Sequence, residues 1–436
     1  MSWNQTKPDC FFSDDEWSLA TKVFAEVAEL SRDAVGVSRP AYSAKETEVL
    51  QYLKALASAE GLVANYDAGK NMVFSLPEDH NAEQFVLMGS HADSVPMGGN
   101  YDGLAGIVAG LLCLIRAKRS GKRFSRPFKV IALRGEESSW FGPCYIGSKC
   151  LLGMLTDAER AAEHKDDGAT LDAHLAATGV NMEPVRETKA LLDSNRLLEF
   201  LELHIEQGPI LIEKGMPCAV VSGIRGNFRH KQICCYGEAG HSGAVPREYR
   251  KDPVLAVADL LMRLDQIWLE ILQKGGDLAL TSGTITTDPT RHGLSRIPDK
   301  VTFCLDIRSL SEDVLSDMRR FLHEEMKQIE GERKVRFEFG EENYTSPALM
   351  SKDVMSGMTG AMERLGLEAF MMASGGGHDA SVFANAGVPS GMVFVRNQNG
   401  SHNPDEDMEI RDLLRGTSVI YEYMMKGRDR VAEAEV

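Results

Sequence analysis

His91, Asp102, Glu137, His204 and His402 are five side chains of metal-ligand type, and the segments that carry them follow apolar, strand-like runs. Gly89-Ser-His91-Ala-Asp93 comes after Phe85-Val-Leu-Met, Arg134-Gly-Glu136-Glu137 after Phe128-Lys-Val-Ile-Ala-Leu, and His204-Ile-Glu206-Gln207-Gly208 after Leu198-Glu-Phe-Leu-Glu-Leu. Gly400-Ser-His402-Asn403-Pro404 follows Gly391-Met-Val-Phe-Val. Open α/β sheets collect ligands beyond the carboxyl ends of their strands, so distant segments can converge on one crevice. Imidazole mixed with carboxylate suits zinc, and also manganese, cobalt or nickel. Asp102, in Gly98-Gly-Asn-Tyr-Asp102-Gly103, opens the apolar, helix-like stretch Leu104 to Ile115 and can bridge two divalent ions roughly 3.5–4 Å apart. One bridging carboxylate and two terminal ligands on each ion account for all five residues. The chemistry of such a pair is hydrolysis, by acidifying a bridging water and polarising a scissile carbonyl.

Two further carboxylates complete the machinery. Neighbouring side chains at a strand end diverge, so Glu136 is expected to stay off the metal that Glu137 binds and to serve as general base, then as acid to the departing amine. Asp93, two residues after His91, is expected to hold that imidazole in the right tautomer.

The elements that must position these groups form an α/β pattern. Residues 1–222 and 343–436 alternate helix and strand and both supply ligands, so they make one catalytic domain with a central sheet flanked by helices. Residues 223–342 offer no ligand and read strand, helix, two strands, helix, strand. That order suggests an inserted α+β sandwich. Its helix Pro253 to Leu272 carries a single apolar stripe at Val254, Val257, Leu261, Leu264, Trp268 and Ile271. Thr156 to Asn195 is polar and helix-forming without a strong stripe, as expected of a solvated excursion packed on the catalytic domain. The charged C-terminus from Lys426 is expected to fray.

The segments Gly89-Ser-His-Ala-Asp-Ser-Val, Gly99-Asn-Tyr-Asp-Gly, Gly135-Glu-Glu, Glu202-Leu-His-Ile-Glu-Gln-Gly-Pro, Gly240-His-Ser-Gly, Gly377-His-Asp-Ala and Ser401-His-Asn-Pro resemble the hydantoinase/carbamoylase amidases of the M20 metallopeptidase clan. His204-Ile-Glu-Gln-Gly-Pro is the segment most specific to these amidases within the clan. The resemblance implies hydrolysis of a linear C–N bond in an N-carbamoyl-L-amino acid or a related ureido acid such as allantoate. An aminoacylase or dipeptidase of the same clan, or a non-catalytic binding protein on this scaffold, is the alternative. It also implies that Glu136 is the catalytic glutamate, that Glu137 binds metal, and that the insert is a lid and dimerisation domain of a homodimer. His241, otherwise a turn histidine between glycines, then serves the partner subunit's site as an oxyanion donor. Gln207 is expected to bond the ureido or carboxylate end of the substrate, and Arg308 to grip a carboxylate with its guanidinium fork. Gly376 and Gly377 precede His378 in a loop expected to approach the substrate. One departure stands out: Ser295 occupies the place of the family's asparagine, so carboxylate recognition is altered or supplemented, with Arg291, His292 and Arg296 at hand.

Composition fits a two-domain enzyme. The chain has 436 residues, 43% hydrophobic, with a formal net charge of −16. That acidity argues against nucleic acid or an anionic membrane as partner. The first residues lack the apolar core of a signal peptide, and Gly103 to Ile115 is too short to cross a bilayer, so a cytoplasmic protein is expected. Eight cysteines without a CxxC pair read as inert core thiols. The histidines at 80, 164, 174, 230 and 323 are expected at the surface.

Overall fold

The computed structural model describes residues 11–426, and the C-terminal tail and Cys10 lie outside them. The chain divides into two compact units, Met1–Ser222 with Leu349–Val436, and Gly223–Ala348. The expected second boundary at 342/343 moves along the chain, because the strand Glu342–Thr345 pairs with Gly226–Tyr236 and belongs to the insert.

The strands are β1 (Val63–Tyr66), β2 (Met72–Ser75), β3 (Phe85–His91), β4 (Phe128–Leu133), β5 (Leu197–Ile205), β6 (Cys218–Ile224), β7 (Gly226–Tyr236), β8 (Gly240–His241), β9 (Ala279–Thr281), β10 (Ile285–Thr287), β11 (Arg296–Ile297), β12 (Lys300–Ser309), β13 (Arg336–Phe339), β14 (Glu342–Thr345), β15 (Ala348–Leu349), β16 (Met371–Ser374) and β17 (Ser390–Val395). The larger sheet runs β1-β2-β4-β3-β5-β17-β6-β15, with β16 on β6. Its centre, β4-β3-β5-β17, is parallel, whereas β1 and β2 are antiparallel to their neighbours and β6 is antiparallel to β17. Every residue of β3, β4 and β17 is buried, as a parallel sheet covered on both faces requires. The helix Leu104–Ser120 supplies one cover, and a core from Val86 and Met88 through Ile107, Leu111 and Val393 to Ile420 fills the space between the layers. Because the four parallel strands are neighbours, their carboxyl ends, with His91, Glu136, Glu137, His204 and the chain leading to His402, open at one edge.

The second unit is antiparallel, ordered β10-β12-β7-β13 with β14 on β7 and β9 on β12. Burial alternates strictly along β12, so Val301, Phe303, Leu305 and Ile307 face the helices Pro253–Gln273 and Glu312–Arg333 while the other side is solvated. Val254 departs from the expected stripe: it is exposed, and Ala256 and Leu260 are buried beside Val257 and Leu264. The polar excursion is better packed than its composition suggests, since Leu171, Leu175, Val180, Met182 and Val185 build a small core with Trp140 and Phe141. No helix among the described residues is long and apolar enough to cross a membrane. Five described cysteines are buried, and burial pushes the thiols of Cys150, Cys218 and Cys235 up to about 12.

Candidate metal centre

Asp102 lies at the middle of the converging strand ends and offers a different oxygen to each of two ligand groups. Its Oδ1 is 3.1 Å from His204 Nε2 and 3.7 Å from His91 Nε2. Its Oδ2 is 3.3 Å from His402 Nε2, which is itself 3.3 Å from Glu137 Oε1. The five expected ligands thus fall into two sets that share one carboxylate, His91-Asp102-His204 and Asp102-Glu137-His402.

The hydrogen-bond partners fix what these atoms present. Nδ1 of His91 lies 3.1 Å from the carbonyl of Asp93, and Nδ1 of His204 lies 2.9 Å from the carbonyl of Ile205. Each Nδ1 therefore carries the proton, and each Nε2 is left with a lone pair. Those two Nε2 atoms are 3.4 Å apart and both face Asp102. Without a metal a further proton on Nε2 meets Asp102, as the raised values of His91 and His204 require, and a divalent cation can take the place of those protons. The electrostatics agree: Asp102 and then Glu137 raise His402 to about 10, so the site favours positive charge. Burial opposes charging His91, but its hydrogen bonds to Asp102 and Asp93 outweigh that penalty and hold its pKa well above the ordinary value. The donor set fits divalent ions of the zinc type.

The expected role of the Asp93 carboxylate is shifted: its backbone carbonyl is nearer His91 Nδ1, at 3.1 Å, than its carboxylate is, at 3.5 Å, and that carboxylate serves the neighbouring loop. Its Oδ1 accepts the Glu136 backbone N–H at 2.9 Å and its Oδ2 accepts that of Glu137 at 3.0 Å, so one buried carboxylate sets the loop that carries both glutamates. Glu136 is buried, and burial holds it well above the ordinary carboxylate range. The expected divergence of Glu136 and Glu137 is incomplete: an oxygen of each, together with a His91 nitrogen, falls within 4.8 Å. Both amides are anchored on Asp93, just after Gly135, whose φ is +65° and whose own N–H bonds Glu46. The distinction between the two rests on Glu137, which faces His402.

Gln207, at φ +63°, directs its amide to Asp102, with Nε2 3.2 Å and 3.1 Å from the two oxygens. Gly376 and Gly377 line the same region. A Cβ on Gly376 would come 2.8 Å from Gln207 Oε1, and one on Gly377 would come 1.7 Å from the Tyr145 hydroxyl. Gly103 is likewise required, since a Cβ there would lie 2.5 Å from the His91 ring. His378 is buried, its ring 4.3 Å from that of His204 and its Nε2 3.0 Å from Ser374 Oγ.

Several supporting residues gave no signal in the sequence. Glu406 accepts the backbone N–H groups of Tyr101 and Asp102 on one oxygen and the Ser401 hydroxyl on the other, tying the Asp102 turn to the His402 loop. Glu202 accepts Ser90 Oγ at 3.0 Å and the Ala380 N–H at 2.8 Å, beneath His204. Tyr145 adopts φ +61° to put its hydroxyl over Gly377.

Within the second unit, β8 and β11 pair so that His241 stands opposite Arg296, and Ser242 N–H donates to the Ser295 carbonyl at 2.9 Å. His241 is exposed, and its Nδ1 accepts the Gly243 N–H at 3.1 Å, which leaves the proton on Nε2. Arg308, on β12, holds Asp306 with Nη2 at 2.7 Å and Nε at 3.0 Å. Arg291 pairs with Asp299, and His292 with Thr287. Of the five histidines expected at the surface, His80 and His323 are exposed and His174 is partly so. His164 and His230 are buried, because aromatic side chains, Trp140 and Phe141 for one and Phe339 for the other, cover their rings.

Comparison with known proteins places this arrangement. An N-carbamoyl-L-amino-acid amidohydrolase of Pseudomonas sp. (strain NS671) is 30% identical over 392 residues, 90% of this chain and 93% of that protein. An allantoate amidohydrolase of Escherichia coli (strain K12) is 32% identical over 89% of this chain and 92% of its own length. A crystal structure of an amidase of the hydantoinase/carbamoylase family from Burkholderia multivorans superposes with a TM-score of 0.85 at 25% identity, covering 96% of this chain and 98% of that one. Residues 87–426 match Peptidase family M20/M25/M40, and the chain belongs to that family, among its hydantoinase/carbamoylase amidases.

Proposed function

We propose that the protein is a metal-dependent amidohydrolase that cleaves a linear ureido C–N bond, releasing carbon dioxide and ammonia from an N-carbamoyl-L-amino acid or a related ureido acid. The observation that carries this reading is Asp102 presenting one oxygen to each of two ligand sets. Relatives named for carbamoyl amino acids, allantoate and ureidoglycolate support the substrate class. His91 and His204 would hold one ion with Asp102, and Glu137 and His402 the other; zinc suits these donors best, with manganese, cobalt or nickel as substitutes. When bound, the ions supply Lewis acidity toward water and toward the scissile carbonyl.

The remaining work falls to side chains. Glu136, kept prone to hold a proton by its burial, takes one from the attacking water and returns it to the leaving nitrogen. Gln207 stands beside Asp102 with an amide able to turn from that carboxylate to a ureido group. His241 carries its proton on Nε2 and is a donor for an oxyanion, supplied to the partner subunit's site of a homodimer. Arg308 and the Ser295–Arg296 turn meet the substrate carboxylate, with Arg296 supplementing the short serine. Ammonia release from a panel of N-carbamoyl-L-amino acids, allantoate and ureidoglycolate, set against N-acyl amino acids and dipeptides, tests the reading. Turnover confined to the N-acyl compounds or dipeptides would overturn it.

A further inference from the structure

We propose that His164, Asp167 and His174 form a separate divalent-metal site, for zinc or another nitrogen-preferring transition ion, outside the pair around Asp102. His164 and Asp167 sit on one closed turn, and His174 on the helix that follows it. Glu163 and Thr170 form a β-bridge, the His164 N–H donates to the Ala169 carbonyl at 2.8 Å, and the Gly168 N–H returns to the His164 carbonyl at 2.9 Å. Thr170 then caps the helix Leu171–Ala177, which carries His174. One ligand atom from each residue lies within 4.8 Å of the others. Asp167 Oδ1 is 3.5 Å from His164 Nδ1, and Oδ2 is 3.2 Å from His174 Nε2. Atoms roughly 2.0–2.1 Å from a tetrahedral zinc stand roughly 3.3 Å apart, so these are ligand-to-ligand spacings.

Hydrogen bonding alone leaves the cluster in conflict. Nδ1 of His164 accepts the Asp166 N–H at 3.3 Å, so its lone pair lies on the side where the Asp167 carboxylate also stands. Two acceptors therefore face each other. Moving the ring proton to Nδ1 would set it against the Asp166 N–H, while Nε2 is buried without a hydrogen-bond partner in either tautomer and does not decide between them. A cation on Nδ1 takes the lone pair that otherwise meets the Asp166 N–H at a long 3.3 Å, and the Asp167 carboxylate beside it becomes a second ligand instead of a facing acceptor.

The site is also held ready and reachable. The His164 ring lies parallel to Trp140 at 4° with centroids 5.8 Å apart, and the edge of Phe141 approaches at 4.9 Å. The Asp167 side chain is 52% exposed, so an ion enters directly from solvent. Three protein ligands leave a position for water and make the site more exchangeable than a closed four-ligand one. Its occupancy braces the turn against Trp140, so it shows in metal content and in the stability of this segment rather than in turnover.

Zinc alone is the probe. Protein carrying Asp102→Asn and His204→Ala, which disable the paired site, is titrated with zinc by calorimetry; about one equivalent should bind, and adding His174→Ala should abolish it. In the otherwise native chain, His164→Ala or His174→Ala should lower zinc content by about one per chain and leave ammonia release unchanged. Asp167→Asn, at an exposed position the fold tolerates, should weaken this site at least ~10-fold. Equal zinc content in native and His174→Ala protein would overturn the proposal, as would the absence of zinc binding by folded Asp102→Asn/His204→Ala protein.

Discussion

Asp93→Asn is the perturbation with the sharpest consequence, because one fully buried carboxylate holds both glutamates and stands beside His91, a proposed ligand. In the native chain its two oxygens accept the Glu136 and Glu137 amides at 2.9 Å and 3.0 Å, and Oδ1 is 3.5 Å from His91 Nδ1. An asparagine has one acceptor oxygen, so one amide N–H must face an NH2 group. Losing a hydrogen bond to a charged acceptor costs about 1.5–3 kcal/mol, and leaving the buried N–H unmet costs about 1–3 kcal/mol more. Partial relaxation of the loop brings the expected loss of stability to about 3–5 kcal/mol. The same relaxation shifts Glu137 and loosens His91, for which a ~10–100-fold drop in metal affinity is expected. Displacing Glu136 by ~1 Å lowers kcat by a further ~10²-fold at saturating metal. Competition with a chromophoric chelator gives the affinity, ammonia release gives kcat, and urea unfolding gives the stability. An Asp93→Asn protein with native metal affinity and native kcat would refute the reasoning.

Three other outcomes are expected. Glu136→Gln loses at least ~10²-fold in kcat and keeps its metal, whereas Glu137→Gln loses metal at one site; elemental analysis beside kinetics checks both, and the reverse pattern would exchange their roles. His241→Ala loses ~10²–10³-fold in kcat with metal intact, and mixing it with Glu136→Gln protein after subunit exchange recovers part of the turnover, because a mixed dimer contains one complete site. A fully active monomer would contradict that sharing. In metal-free protein, burial and then the charge of Glu202 push Asp379 up to about 7 from 3.8, so the folded state binds the proton more tightly. Its contribution to stability is full below pH 3.8 and is lost as pH rises through about 7. Asp379→Asn should flatten the pH dependence of urea unfolding across that window, and parallel profiles for the two proteins would exclude the effect.

The parts of the site legible in the sequence are those carried by periodic structure. His91 and His204 stand at the ends of buried strands and the Glu136-Glu137 pair follows another, and these strands read as mainly apolar runs interrupted at Ser90, Lys129, Glu199 and Glu202. The helix stripe in the insert was readable for the same reason, except at Val254. That residue lies in the first turn, where the stripe has just begun and the packed face is set by Ala256 and Val257. Glu406, Glu202 and Tyr145 left no trace because their partners, Asp102, Ala380 and Gly377, are brought to them only by the fold. His164 misled for a related reason: in a polar stretch it has no apolar neighbours in sequence, and Trp140, which covers it, lies on a different segment. The insert's end was misplaced because β14 is polar and mostly exposed, so its pairing with β7 is written in backbone hydrogen bonds rather than in hydrophobic pattern.

The central claim is a pair of divalent ions organised by Asp102 and required for ureido hydrolysis. Zinc titration of chelator-stripped His164→Ala/His174→Ala protein, followed by ammonia release from an N-carbamoyl-L-amino acid, tests it most directly, since the peripheral site can no longer take up metal. Activity should be absent at zero zinc, rise to a plateau near about two equivalents per chain, and stay absent at any zinc level when Asp102→Asn is added. Full turnover at zero bound metal, or a plateau unaffected by Asp102→Asn, would contradict the account.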